Sequence, residues 1–405
     1  MPTTTLKNLI YRAALPLNAP GPGRRPAVSA EGRSLCTPGC YARLLRRHHV
    51  LNSAALLADR DEKLLLTCSL PGSGHTVTAG SMYRAASITK MATALAALAA
   101  AEEGKLSPGA PVNEIFAASA GIPAVPELED VTLIHLLSHT SGIADPAVLE
   151  EDVNQGKPFP EVLRGQRRHA PGETFQYSNL GFGLIGCLLE AVYGLPVPEI
   201  LKRKVFDPLG MNATLEASSL DPDTIVPIFR VLSFEGGVRS ILSPAGGRKY
   251  DPSKALIMTP LGRKPLREPD PLRHYGHTAG AMYTDILSLE KLIRCLMAEG
   301  RPLLDPGRGK RMAEERASYG SLSPTLRYGL GLLIIKDPSL SDGRILGHQG
   351  FAYGCADGAF WEESTGRAVL FLNGGASEAR DGRLGLCNRD ILRWALKKEM
   401  PKWTA

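Results

Sequence analysis

Ser87-Ile-Thr-Lys90 precedes a long uncharged run within YRAASITKMATALAALAA, residues 83–100. On a helix, a hydroxyl and an amine three residues apart share one face, one turn from each other. A serine attacks a carbonyl only when a base takes its proton, and a lysine can be that base only when neutral. No charge lies between Met91 and Ala101, so the helix reads as buried nearly all round. Burial disfavours the ammonium form, and the helix start adds a positive dipole end where oxyanion charge would develop. A second Ser-x-x-Lys, Ser288-Leu-Glu-Lys291, is set aside, because Asp285, Glu290 and Arg294 mark a wet face on its helix.

Two further stretches hold residue types that such chemistry needs. In PGETFQYSNLGFGLIGC, residues 171–187, Tyr177 and Asn179 stand just before a glycine-rich apolar helix. A tyrosine and a cap there serve packing in most proteins. Near Ser87, however, the phenol could shuttle the serine proton, and the amide could bind Lys90 or a substrate carbonyl. In GHQGFAYG, residues 347–354, between predicted strands, Gly350 leaves room for a substrate against a strand edge. The Phe351 N–H that follows would pair with that of Ser87 as an oxyanion hole. His274-Tyr-Gly276 fits the same His-x-Gly pattern but precedes a helix, and is set aside. His135 and His139 have zinc-ligand spacing, yet Leu136 stands where a zinc protease needs Glu and no third ligand suggests itself. They read as hydrogen-bonding residues. Cys36-Thr-Pro-Gly-Cys40 lacks the second pair of a zinc site. Gly181, Gly183 and Gly186 suggest close helix packing rather than phosphate binding.

These residues need elements to hold them. The chain has 405 residues, 43% hydrophobic and 22% charged, with a net charge of +6. That balance fits a folded protein with a sizeable core and lacks the concentrated basic face of a nucleic-acid binder. Seven scattered cysteines read as reduced core thiols. The longest apolar run, 91–101, is too short to span a bilayer, and no signal peptide is legible. A soluble cytoplasmic protein is the expectation. Helices are predicted over 40–49, 87–103, 132–139, 160–165, 179–193, 196–203, 284–298 and 386–398. A hairpin is predicted over 53–69, and strands over 328–336, 343–348, 353–362 and 367–373. Strands at both ends with helices between predict an α/β fold, an antiparallel sheet flanked by helices with an inserted all-α lobe. The boundaries expected are 41–105 plus 276–405 for the sheet domain and 106–275 for the lobe, with an irregular excursion over 216–275. Residues 1–40 read as a loosely ordered extension.

Ser-x-x-Lys, Tyr-x-Asn and His-x-Gly, in that order, resemble the serine β-lactamase and penicillin-binding-protein superfamily, in its class C-like branch of esterases, D-peptidases and transacylases. Further stretches carry the likeness: LIHLLSHTSGI at 133–143, FDPLGMNAT at 206–214, AGAMYTD at 279–285 and Tyr328-Gly-Leu-Gly331. The resemblance implies a β-lactamase/transpeptidase-like sandwich with the active site between sheet and lobe. It implies Ser87 as nucleophile, Lys90 and Tyr177 sharing the base role, Asn179 positioning groups, and His348 and Gly350 on the substrate-edge strand. It leaves open which of Lys90 and Tyr177 takes the proton. The expected activity is cofactor-free hydrolysis of a small ester, amide or peptide through an acyl-enzyme. Acyl transfer, D-peptidase activity and a sensor that acylates without turnover are the alternatives. One departure stands out: His348 occupies a position where β-lactamases proper carry lysine followed by threonine and glycine, which weakens the case for an antibiotic-destroying enzyme.

Overall fold

The computed structural model describes residues 26–33, 36–70, 75–228, 265–321, 323–352 and 354–397. Most of the expected extension (1–25) and of the expected excursion (229–264) lies outside the described residues. Nine strands form one sheet in the order β1-β3-β2-β12-β11-β10-β9-β8-β7, every neighbouring pair antiparallel. They are β1 (Val28–Arg33), β2 (Asn52–Ala58), β3 (Lys63–Cys68), β7 (Ala317–Ser318), β8 (Leu326–Tyr328), β9 (Leu333–Ile335), β10 (Ile345–Ala352), β11 (Cys355–Glu362) and β12 (Ala368–Gly374), while β4 (Tyr83–Arg84), β5 (Ala213–Thr214) and β6 (Tyr283–Thr284) form a separate small sheet. Segments far apart in the chain thus meet inside the sheet, where β2 pairs with β12 from Asn52↔Gly374 to Ala58↔Ala368.

Central strands covered on both faces read as unbroken apolar runs, and β2 and β12 are buried along their whole length. Their alternate side chains feed two cores. Ala55, Leu57, Val369 and Phe371 pack with Tyr41, Leu45, Ile391 and Trp394, from the first and last described helices, α1 (Pro38–Arg47) and α11 (Leu386–Lys397). Ala54, Leu56, Leu370 and Leu372 join the larger core with α2 (Thr89–Glu102) and the helical region. That region comprises α3 (Val112–Ala120), α4 (Leu133–Leu137), α5 (Leu149–Asn154), α6 (Phe159–Leu163), α7 (Asn179–Tyr193) and α8 (Val197–Leu201). Helices α9 (Ile286–Met297) and α10 (Pro306–Lys310) follow it. No single helix among the described residues is long and apolar enough to cross a membrane.

Local chemistry explains several of these bounds. The β2–β3 turn is an Asx turn, in which Asp59 Oδ1 accepts the Asp61 and Glu62 amides at 3.0 and 2.8 Å. Helix α7 spans the predicted residues because Ser178 Oγ accepts the Gly181 amide at 2.9 Å and Gly194 closes it at φ 63°. Two glycines of α7 let neighbouring chain pass close: a Cβ on Gly183 would lie 2.0 Å from Tyr275 O, and one on Gly186 would lie 2.8 Å from the Thr278 side chain.

Three expectations are corrected. The run 328–336 is not one strand: Gly329–Leu332 turns back between β8 and β9, with Gly331 at φ 74° and its amide on Leu137 O at 2.9 Å. A Cβ on Gly331 would sit 2.5 Å from that of Ala94, so the bend is where the sheet touches α2. The stretch 347–354 is no connection between strands, because β10 continues to Ala352. Residues 28–33 are not a loose lead-in but form β1, an edge strand against β3.

Candidate active site

Ser87 projects from a tightly held turn. Arg84 pairs with Tyr283 in a small three-stranded sheet, and the Ala85 amide bonds to Met282 O at 2.8 Å. Ala86 then takes φ 44°, a left-handed conformation that costs a non-glycine residue about 1–3 kcal/mol. Thr89 pins the turn by donating to Ala86 O at 2.6 Å while accepting the Met282 amide at 3.0 Å. A 3-10 turn over Ala86–Ile88 leads into α2, all of whose residues from Thr89 to Ala101 are buried.

Lys90 is fully buried one turn on. Its Nζ lies 3.2 Å from Ser87 Oγ, 2.9 Å from Asn179 Oδ1 and 2.7 Å from Ala279 O. Desolvation lowers its pKa to about 7, against the opposing pull of the Asp145 charge. Tyr177 Oη donates to Ser87 Oγ at 3.0 Å. Its phenol is pushed up, first by desolvation and then by Asp145, with the Ser87 hydrogen bond opposing. The amine and the phenol therefore converge on one serine oxygen with opposite shifts.

The start of α7 is organised by a residue the sequence reading missed. Asp145 Oδ1 accepts from Ser178 Oγ and the Leu180 amide, and Oδ2 from the amide and Nδ2 of Asn179, each at 2.9 Å. A carboxylate suits the unsatisfied amides of a helix start. In the sequence, Ala-Asp-Pro reads only as a turn, and nothing local marks its partner 33 residues on. Of the set-aside residues, His139 lies against Tyr177 and Gly276 lines the cleft with Ser87, while three others have structural partners. His274 Nδ1 meets Glu190 at 2.8 Å, His135 Nδ1 accepts the Thr132 amide at 3.2 Å, and Ser288 Oγ accepts the Asn212 amide at 2.8 Å.

The third stretch supplies a strand rather than a loop. β9 begins at Leu333 opposite Gly347, so β10 from 348 onward pairs with no strand on that side among the described residues. His348 is buried, with Nδ1 donating to Gln349 O at 2.6 Å and Nε2 accepting from Tyr328 Oη at 3.0 Å. Burial first, then the Lys90 charge, holds its pKa down at about 3. It is a neutral imidazole with both nitrogens satisfied by protein. The space that Gly350 frees is taken by protein rather than by an open edge: a Cβ there would lie 2.5 Å from Ala85 O. The glycine lets β10 lie against the backbone that carries Ser87. Phe351 lies beside the cleft with the Arg380 guanidinium 4.5 Å from its ring centroid.

These segments line a cleft of about 850 Å³. Ser87, Tyr177, Asn179 and His348 lie on its walls, with Pro146, Leu149 and Val153 among the apolar residues and Arg84, Arg380 and Arg383 among the cationic ones. Burial lowers the Arg380 pKa, with Glu378 opposing. Tyr328 stood in one of the stretches that carried the likeness, whereas Arg380 had no local signal beside the motifs. Among the described residues no group of three His, Cys, Asp or Glu could hold a metal ion.

The chain is similar to several known proteins. Residues 39–223 match the β-lactamase family model. Over 179 residues the chain is 28% identical to penicillin-binding protein 4 of Amycolatopsis lactamdurans, covering 42% of this chain and 46% of that relative. The chain thus spans less than half the length of this curated relative. The fold is shared with the octameric penicillin-binding protein homologue of Pyrococcus abyssi, at TM-score 0.64 and 21% identity over 88% of this chain and 74% of the other. It is also shared with the D-amino acid amidase of Ochrobactrum anthropi SV3 bound to D-phenylalanine, at TM-score 0.65 and 20% identity over 86% and 95%. The β-lactamase family match thus covers just under half of this chain, and the fold shared with these two solved structures extends over most of it.

Proposed function

We propose that the protein is a serine hydrolase of small amide, peptide or ester substrates, with Ser87 as nucleophile and Lys90 as its base. One observation carries the reading: Ser87 Oγ lies within hydrogen-bond reach of both Lys90 Nζ and Tyr177 Oη, and the lysine has a pKa of about 7. A neutral amine has two N–H donors and one lone pair. Asn179 Oδ1 and Ala279 O accept the two donors, which directs the lone pair at the Ser87 proton. Tyr177, kept protonated, serves as the relay that returns a proton to the leaving nitrogen or oxygen. The Ser87 and Phe351 amides hold the oxyanion, and water then cleaves the acyl-enzyme. The shared fold with a D-amino acid amidase supports amides and short D-peptides as the first substrates to try.

The test is intact mass seconds after mixing with a short p-nitrophenyl ester and, separately, a D-amino acid p-nitroanilide, beside Ser87→Ala. A transient gain of one acyl group, absent in the variant, is expected. Equal product release from both proteins with no adduct would sink the assignment of Ser87. Added alcohol or amine that diverts the acyl group faster than water would replace hydrolysis with acyl transfer.

A further inference from the structure

We propose that His139 is a positioning residue that holds the Tyr177 hydroxyl on Ser87, an inference that rests on the reading of Ser87 given above. His139 brackets Tyr177 through the backbone on both sides. Its carbonyl accepts the Gln176 amide at 2.7 Å, and its Nδ1 accepts the Ser178 amide at 3.1 Å. Its ring also lies against the phenol itself, with centroids 4.2 Å apart. The segment that carries Tyr177 is therefore fixed before, after and beneath the side chain.

The conformation of His139 supports a role for its side chain. It follows α4 with φ 57°, the left-handed geometry that glycine and asparagine adopt most readily after a helix. A histidine in that place departs from what the backbone alone favours. Because Nδ1 accepts a hydrogen bond, the ring proton sits on Nε2, which is buried and meets no acceptor among the described residues. The imidazole instead lies among the rings of Tyr177, Phe182, Tyr328 and Phe175, at 4.2, 4.9, 4.8 and 5.8 Å. A helix end that needed only a turn would not need an imidazole enclosed by the rings around Tyr177. The same enclosure ties the phenol to Tyr328, which hydrogen-bonds His348 on β10. His139 thus joins the second and third site segments, and its effect on chemistry passes through Tyr177.

Two substitutions separate this role from general stability. His139→Gly keeps the backbone conformation and the carbonyl while removing Nδ1 and the ring. His139→Asn keeps the conformation and places Oδ1 where Nδ1 accepts the Ser178 amide. In the full chain, the His139→Gly variant is expected to stay folded and to acylate about 100-fold more slowly, the cost of misplacing a reacting group by roughly an ångström. KM should be unchanged, and His139→Asn should recover most of the loss. A folded His139→Gly variant that acylates at the wild-type rate would overturn the proposal, as would a loss confined to KM. If the wild type forms no acyl adduct, the reading of Ser87 falls on its own. Crystal structures of the two variants then decide the matter: Tyr177 Oη beyond hydrogen-bond reach of Ser87 Oγ in the His139→Gly variant alone supports the role of His139, and an unmoved phenol refutes it.

Discussion

Lys90→Met gives the sharpest test of the charge state on which the site depends. In the folded protein the Lys90 pKa falls from 10.5 to about 7 through desolvation. At 1.36 kcal/mol per pH unit, that fall is worth roughly 5 kcal/mol. The sign follows from proton counting. Between the folded and unfolded pKa values the unfolded chain binds one proton more, so stability rises with pH. The penalty is complete below about pH 7, where both states are charged, and fades as the pH approaches 10.5. Methionine fills much of the same volume and does not titrate. It also leaves Asn179 Oδ1 and Ala279 O without their donor, at about 1–3 kcal/mol each.

These terms nearly cancel near neutrality, so one measurement at one pH decides nothing. Their pH dependence does. The unfolding free energy of the wild type, relative to Lys90→Met, should climb by about 1.4 kcal/mol per pH unit above neutrality. Urea unfolding followed by the fluorescence of Trp361 and Trp394, both buried, measures it. The same protonation should appear in kinetics as an acylation rate that rises to a plateau through about pH 7. Parallel stability curves for the two proteins would mean that Lys90 stays charged in the fold and cannot be the base at neutral pH.

Two further substitutions test what surrounds the lysine. Gly350→Ala brings a Cβ to 2.5 Å from Ala85 O without any left-handed backbone to strain. It should destabilise by about 1–3 kcal/mol in thermal unfolding and slow acylation about 100-fold by shifting the Ser87 turn. Asp145→Asn removes the charge that opposes the fall of the Lys90 pKa and spoils part of a four-donor site. Stability should drop by about 1–3 kcal/mol, and the acid limb of the acylation profile should move to lower pH. An unmoved limb would mean that Asp145 does not act on Lys90.

The legible parts of this protein were those with local causes. The bounds of α7 follow from Ser178 before it and Gly194 after it, and the β2–β3 hairpin follows from two apolar runs around Asp59-Arg60-Asp61-Glu62. The burial of α2 follows from the uncharged run 91–101 within it. What stayed hidden depends on contacts far along the chain. β1 carries Ser-Ala-Glu-Gly in its middle and pairs on one side only, so no apolar alternation announces it. The bend at Gly329–Leu332 exists because α2 passes beneath it, which no window of sequence reveals. Likewise, the glycine of Gly350 is explained by Ala85 and the neutrality of His348 by burial and then the Lys90 charge. The motif residues could be named from their spacing, whereas Asp145, His139 and Arg380 have partners that only the fold supplies.

The arrangement around Lys90 shows how a fold keeps a buried lysine near neutrality. A carboxylate in direct contact would hold the ammonium form, since an opposite charge within a few ångströms raises a lysine's pKa as strongly as burial lowers it. Asp145 is close enough to act but makes no hydrogen bond to Nζ. Asn179 stands between them, giving Oδ1 to Lys90 at 2.9 Å and Nδ2 to Asp145 at 2.9 Å. The carboxylate meanwhile satisfies amides at the start of α7, where its charge complements the helix dipole. An amide between acid and amine transmits orientation while withholding an ion pair, so desolvation prevails and the pKa settles at about 7. A tyrosine and an asparagine two residues apart are thus tied together: one donates to the serine oxygen, and the other accepts from the amine that would deprotonate it.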